Sequence, residues 1–193
     1  MEVEEVYKKG RSSTPGVCVM KLATLVFITR SRGDVEEILL ARKKTGEIGI
    51  GALSAPGGKI EPGEHPPITC TREVWEEMLI TIPNSPEMLK EVALLDVFRA
   101  QDNDAYEHFM RIFVYVGRAF SGEPSETKDM ERPFWVPFDK IPYDEMYPGD
   151  DRWMPYVLAG EPNKLHFTIY RHNGEFVKIL TEPLRPFIEL MAT

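Results

Sequence analysis

The sequence predicts a single α/β or α+β domain, and three observations carry that prediction. Apolar and β-branched runs of strand length recur between Val17 and Leu180, with two helical segments set among them. No internal repeat or linker-like stretch divides the chain, whose 193 residues suit one domain. At 42% hydrophobic and 28% charged residues, the chain can bury a sizeable core.

The elements follow in order. Residues 1–15 are polar and mixed in charge, and are expected as a mobile arm ahead of a domain over residues 16–182. Val17–Thr29 and Ile38–Ala41 read as strands, with Ser31–Glu37 as the loop between them and Gly33 as its turn. Thr45–Pro56, punctuated by Gly46, Gly49 and Gly51, reads as a loop. His65-Pro66-Pro67 opens a helix to about Leu79, because proline fits the first turn, where its missing N–H costs nothing. Pro83 and Pro86 prevent it from continuing. Glu91–Arg99 and Glu107–Val116 are strands around the polar turn Gln101-Asp102-Asn103-Asp104, and Gly122–Lys128 is loop. Phe134–Val136 is a short strand and Asp150–Ala159 a helix. Leu165–Tyr170 and Glu175–Leu180 face each other across His172-Asn173-Gly174 as a hairpin. In the tail, residues 183–193, Phe187, Leu190 and Met191 suggest a short docked helix.

Composition excludes several classes of function. With 23 Lys and Arg against 31 Asp and Glu, the net charge is -8, and an acidic surface repels nucleic-acid polymers. The longest apolar run, Leu22–Ile28, is too short to span a membrane. It is preceded by Glu2, Glu4 and Glu5 and followed by no small-residue cleavage site, so it reads as a buried strand and not as a signal segment. Cys18 and Cys70 form no CxxC, and with four scattered histidines they make neither a zinc site nor a disulfide framework. Two reduced thiols suit a cytoplasmic protein.

Three glycine- or acid-rich stretches invite a ligand and fail on spacing. Around Gly57-Gly58-Lys59, Leu53 and Ile60 stand where a phosphate loop needs Gly and Ser or Thr. Ser54 takes the place of the third glycine that a dinucleotide fingerprint beginning Gly49-Ile50-Gly51 requires. After Asp102-Asn103-Asp104, Glu107 and Phe113 occupy the Gly and bidentate Glu places of a calcium loop.

The helix after Pro67 is different. At 100° per residue, Ile68, Thr71, Val74, Trp75, Met78 and Leu79 fall on one side and Glu73, Glu76 and Glu77 opposite. A solvated acidic face would produce that pattern. However, like charges at i,i+3 and i,i+4 repel unless a cation sits among them, and clustered carboxylates are hard oxygen ligands for Mg²⁺ or Mn²⁺.

From Gly58, five residues lead to Glu64, and seven more to Arg72-Glu73-Val74-Trp75-Glu76-Glu77-Met78-Leu79-Ile80. This spacing resembles the Nudix box, Gly-x5-Glu-x7-Arg-Glu-U-x-Glu-Glu-x-Gly-U with U aliphatic, at every specified place except Leu79, where the family has Gly. That Gly ends the helix, so the departure concerns the C-terminal turn and not the carboxylates.

The resemblance implies an α/β/α sandwich with a mixed β-sheet, and metal-dependent hydrolysis of a nucleoside diphosphate linked to another group. It implies Gly58, Glu73, Glu76, Glu77 and Glu126 as ligands to Mg²⁺ or Mn²⁺, with Arg72 orienting a box carboxylate and Glu64 supporting the site. A general base must take a proton from the attacking water, and Glu73 and Glu126 are the candidates. Lys43, Lys44 and Lys59 would serve phosphates.

The segments Glu126–Met130, Arg132–Trp135 and Ile141–Pro155 look like the oxidised-purine nucleoside triphosphatase (8-oxo-dGTP diphosphatase) branch of that family. Tyr147 stands where that branch stacks a ring on the base, and Asp150 where it reads the base edge. The alternative for Tyr147 and Trp153 is that they only pack a helix onto the sheet. Ser54 is the nearest equivalent of a base-bonding Asn, Leu53 replaces a Trp, and Gly149 replaces the first of two acidic residues. Fewer edge contacts leave the base open.

The expected activity is cleavage of purine nucleoside triphosphates, oxidised ones included, to monophosphate and pyrophosphate, as in sanitation of the nucleotide pool. The alternatives are a sugar nucleotide or dinucleoside polyphosphate as substrate, or a non-catalytic nucleotide sensor. No nucleic-acid polymer or membrane is expected as partner, and the oligomeric state is left open. Between Gly58 and Ile80, five Glu oppose Lys59 and Arg72, so part of the acidity is gathered where a metal would reverse its sign.

Overall fold

Side-chain alternation along β1 (Lys21–Arg32) and β2 (Val35–Arg42) sets up two cores on opposite faces of one sheet. Val26, Ile28, Leu39 and Ala41 are buried on one face, and Phe27, Ile38 and Leu40 on the other. The computed structural model describes residues 20–101, 105–160, 164–173 and 175–183. The expected arm over residues 1–15, the expected strand residues 17–19, Cys18, the turn residues 102–104, Gly174 and the tail beyond residue 183 lie outside these described residues.

The other strands are β3 (Leu53–Ser54), β4 (Leu89–Ala100), β5 (Tyr106–Gly117), β6 (Phe134–Pro137), β7 (Leu165–His172) and β8 (Glu175–Pro183). They form an eight-stranded sheet in the order β3-β2-β1-β5-β4-β7-β8, with β6 also paired to β2. The sheet is mixed, because β1 runs parallel to β5 and β4 parallel to β7 while the other pairs are antiparallel. Helix α1 (Pro66–Met78) packs Cys70, Val74 and Met78 onto the Val26 face. The opposite face is covered by the segment from Ile141 to helix α2 (Met154–Leu158), through Met146, Trp153, Met154 and Val157. The result is the expected α/β/α sandwich with a mixed β-sheet.

Three local expectations are corrected. The charged stretch Ser31–Glu37 is mostly strand, since Arg32 pairs with Val35 and only Gly33 and Asp34 turn. Its charges serve as cross-strand partners, with Arg30 bound to Glu37 at 2.7 Å and Ser31 to Glu36. The helix expected over Asp150–Ala159 is split into a 3₁₀ turn at Asp150–Arg152 and α2. Trp153 breaks it with φ -128° and ψ -35°, and Pro155 sits in the first turn of α2, where its missing N–H is tolerated.

The third correction concerns the phase of α1. Its buried residues are Pro66, Thr69, Cys70, Glu73, Val74, Glu77 and Met78, so Glu73 and Glu77 lie on the same side as Val74 and Met78. Ile68, Trp75 and Leu79, expected on the apolar side, are exposed. Glu76 remains exposed.

Candidate active site

The site begins where β1 and β2 part. Residues 56–60 fill the gap beside β1 as a short antiparallel ladder. The Thr24 and Val26 amides donate to the Gly58 and Pro56 carbonyls, and the Ile60 amide to the Leu22 carbonyl, each at 2.9 Å. A Cβ on Gly57 would collide with the Thr24 carbonyl oxygen and lie 2.9 Å from the Leu25 Cα, so only glycine lets the segment approach this closely.

Against this loop α1 sets two carboxylates one turn apart. Glu77 accepts the Gly57 amide at 2.9 Å, and burial pushes its carboxyl up to about 7. Burial also raises the Glu73 carboxyl, against the pull of Arg72. The Glu73 carboxylate lies over Gly58, where a Cβ would fall 2.5 Å from Cδ and 2.6 Å from Oε2. The Gly58 carbonyl already accepts one backbone bond and keeps its other lone pair.

Arg72 ties the carboxylates together. Its Nε and Nη2 grip Glu64 at 2.7 and 2.8 Å, while Nη1 donates to Glu73 at 2.8 Å and Glu76 at 3.1 Å. Nη2 also reaches the Lys59 carbonyl at 3.1 Å. The Arg72 fork, the Glu61 amide and the Thr69 hydroxyl together hold the Glu64 carboxyl down to about 2, well below its usual range. Glu64 thus anchors Arg72, and Arg72 orients Glu73 and Glu76.

Glu126 enters from the loop after β5. That loop is fixed to the end of α1, since the Ser125 amide donates to the Met78 carbonyl at 3.1 Å and the Thr127 hydroxyl to the Glu77 carbonyl at 3.2 Å. Glu126 is exposed and accepts a bond from Lys44 Nζ at 2.8 Å. Lys59 pairs with Glu47 at 2.8 Å, and Lys21 binds the same carboxylate. Among the described residues, no three Asp, Glu, His or Cys side chains converge as a ready-made metal cage. The donor set nevertheless fits a hard divalent cation: oxygen donors only, with two buried carboxylates whose ionisation burial opposes.

On the other face of the sheet, Trp153 is buried and stacked on Phe27, with ring centroids 5.6 Å apart, as the packing alternative expected. Its Nε1 donates to Asp150 Oδ1 at 3.0 Å. Burial pushes the Asp150 carboxyl up to about 6 despite that bond and the charge of Arg171. Tyr147 is partly buried, and the Arg171 guanidinium carbon lies 3.9 Å over its ring centroid, which leaves at most the other face for a base. The chain passes beside β3 through the Leu53–Met146 bridge, yet the Ser54 hydroxyl donates to its neighbour, the Ala55 carbonyl, at 2.9 Å and joins neither Tyr147 nor Asp150.

Arg171 escaped the sequence reading. The signal for it was alternation: Leu165, Phe167 and Ile169 are core residues of β7, and the next place in that register is an arginine.

The chain matches the NUDIX domain model over residues 20–157 and belongs to that family. It is therefore a hydrolase acting on phosphoric anhydrides, a class that generally needs divalent metal ions. The chain is 34% identical over 162 residues to an oxidized purine nucleoside triphosphate hydrolase of Danio rerio, spanning 79% of this chain and 89% of that protein. The Mus musculus protein of the same name is 27% identical over 147 residues, 76% of this chain and 85% of the other. The solved MutT protein of Bacillus halodurans shares the fold, with a TM-score of 0.69 at 20% identity over 86% of this chain and 100% of that one.

Proposed function

We propose that this chain cleaves purine nucleoside triphosphates, oxidised purines among them, to nucleoside monophosphate and pyrophosphate, with Mg²⁺ or Mn²⁺ as cofactor. The observation that carries the reading is the buried pair Glu73 and Glu77 facing the Gly57–Gly58 backbone. The similarity to the Danio rerio and Mus musculus hydrolases supports the purine substrate. The same reading assigns residues 16–182 to the catalytic domain and the cytoplasm as its compartment, where the buried thiol of Cys70 stays reduced.

In this mechanism Glu73, Glu76, Glu77, Glu126 and the Gly58 carbonyl would hold the metal. A divalent ion held there would supply charge to neutralise phosphate oxygens and to acidify the attacking water. Arg72 keeps Glu73 and Glu76 aimed, and Lys44 and Lys59 exchange their carboxylate partners for substrate phosphates. A water oxygen bonds to phosphorus as the anhydride oxygen leaves with pyrophosphate. The water proton passes to Glu126 or Glu73. Tyr147 stacks on the base and Asp150 bonds its edge.

A nucleotide panel with Mg²⁺, scored by product identity, tests the reading. Oxidised dGTP should be cleaved faster than dGTP, giving monophosphate and pyrophosphate. If oxidised dGTP gains nothing over dGTP and a sugar nucleotide or dinucleoside polyphosphate is clearly better, the substrate assignment fails. Glu77→Gln should abolish turnover with the fold intact, and unchanged turnover would remove the proposed metal role.

A further inference from the structure

One hydroxyl joins three pieces of the candidate site. Thr127 Oγ1 donates to the Glu77 carbonyl at 3.2 Å and accepts the Asp129 and Met130 amides at 3.2 and 3.1 Å. A hydroxyl has one hydrogen and two lone pairs, and all three are used here. The Thr127 amide donates in turn to the Met130 carbonyl at 3.0 Å, so residues 127–130 form a closed turn.

The three pieces are the end of α1, the loop that carries Glu126 and the segment leaving β2. Glu77 and Met78 are the last two residues of α1, and the final carbonyls of a helix find no partner within it. The Ser125 amide donates to the Met78 carbonyl at 3.1 Å and Thr127 Oγ1 to that of Glu77. Glu126 therefore stands between two ties to consecutive helix-end carbonyls. On the other side the turn runs along residues 42–44. There the Lys44 amide donates to the Asp129 carbonyl at 2.8 Å, and the Glu131 amide to the Arg42 carbonyl at 2.9 Å. Lys44 Nζ then reaches back to the Glu126 carboxylate. Both members of that ion pair are anchored to the turn that Thr127 pins.

Glu126 is exposed, so no packing around its side chain places it, and its position is inherited from its backbone. A displacement of about 1 Å at a reacting group can cost about 100-fold in rate. We propose that Thr127 is a positioning residue of the active site, its hydroxyl setting Glu126 against the end of the helix that carries Glu73 and Glu77. This inference rests on the proposed triphosphatase activity, in which Glu126 is a metal ligand and a candidate base, and adds to it the residue that holds Glu126 in place.

The test is a double-mutant cycle on kcat and KM for dGTP and oxidised dGTP with saturating Mg²⁺. It compares the wild type, Thr127→Val, Glu126→Gln and the double variant, with Thr127→Ser beside them. Thr127→Val keeps the shape and removes the hydroxyl, and should lower kcat about 10- to 100-fold with little change in KM. In the Glu126→Gln background the same change should cost less than about 2-fold, because the group it places is already gone. Thr127→Ser keeps the hydroxyl and should retain most of kcat. In the metal-free protein, the Asp129 and Met130 amides should exchange with deuterium about 10-fold faster in Thr127→Val than in the wild type. Thr127→Ala carries the comparison if Thr127→Val does not fold. Equal losses in both backgrounds with a lowered Tm, unchanged amide exchange, or full kcat in Glu126→Gln would overturn the inference while leaving the activity standing. Failure of the wild type to cleave any purine triphosphate would overturn both.

Discussion

The carboxylate of Glu73 occupies the space that a side chain on Gly58 would need, with its Cδ 2.5 Å and its Oε2 2.6 Å from that missing Cβ. The first glycine of the box and the first glutamate of its helix are thus shaped to each other, although 15 positions separate them.

Gly57 and Gly58 should accordingly fail in different ways. Gly58→Ala meets only the end of a flexible side chain, so it should cost about 1 kcal/mol of stability while misplacing Glu73 and lowering kcat/KM about 100-fold. Gly57→Ala meets the Thr24 and Leu25 backbone and should cost about 3 kcal/mol in urea unfolding. Equal stability losses in the two variants would contradict this assignment.

Arg72→Gln strips Glu64, Glu73 and Glu76 of their shared countercharge. The metal-free protein should lose about 2 kcal/mol, a figure discounted for the partial exposure of the pair. Saturating Mg²⁺ should restore part of it, as thermal unfolding in EDTA and in Mg²⁺ would show. The same loss in both buffers would mean that a bound cation does not replace the arginine.

Leu79 ends α1 in the left-handed region, with φ 57° and ψ 28°, and its amide donates to the Trp75 carbonyl at 3.0 Å. The αL cap of the family's glycine is therefore kept, at the cost of a side chain in a conformation that glycine adopts freely. Since Leu79 is 41% exposed, Leu79→Gly should stabilise the protein by about 1 kcal/mol and raise the urea midpoint. A lowered midpoint would show that the leucine packs more usefully than its exposure suggests.

Asp150 gives the protein a pH-dependent element. Its carboxyl moves from an ordinary 3.8 up to about 6 in the fold, so the folded state binds that proton more tightly than the unfolded chain. The associated stability is fully present below about pH 4 and is lost as the pH rises through about 6, up to about 3 kcal/mol in all. Urea unfolding at pH 4.5 and 7.5 should show Asp150→Asn missing this fall relative to the wild type. Parallel pH profiles for the two proteins would place the proton elsewhere.

The box spacing, the strand runs and the prolines bounding α1 were legible in the sequence because each rests on local chemistry. The phase of α1 was not. Sorting by polarity sends Glu73 and Glu77 to solvent, whereas the side-chain-free loop at Gly57–Gly58 gives them room inside and the Gly57 amide and Arg72 satisfy them. Arg171 was hidden for a related reason: its partners, Tyr147 and Pro148, lie 23 or more positions away. The break at Trp153 was hidden as well, because the ring is drawn from helical geometry by its packing on Phe27.

The ladder of residues 56–60 against β1 has a dynamic consequence. A glycine-bearing loop on a surface ordinarily opens and closes on its own, but this one is bonded into the sheet through the Thr24, Val26 and Ile60 amides. Those three hydrogens should exchange with deuterium at rates close to those of the amides of the β1–β5 pairing, because exposing them requires lifting residues 56–60 off the edge of β1, where Gly57 lies against the Thr24 and Leu25 backbone and its amide is bonded to Glu77. The Gly57–Gly58 side of the proposed site is then nearly as stiff as the sheet edge it rests on, and accommodation of different substrates would fall to the side chains of Lys44 and Lys59.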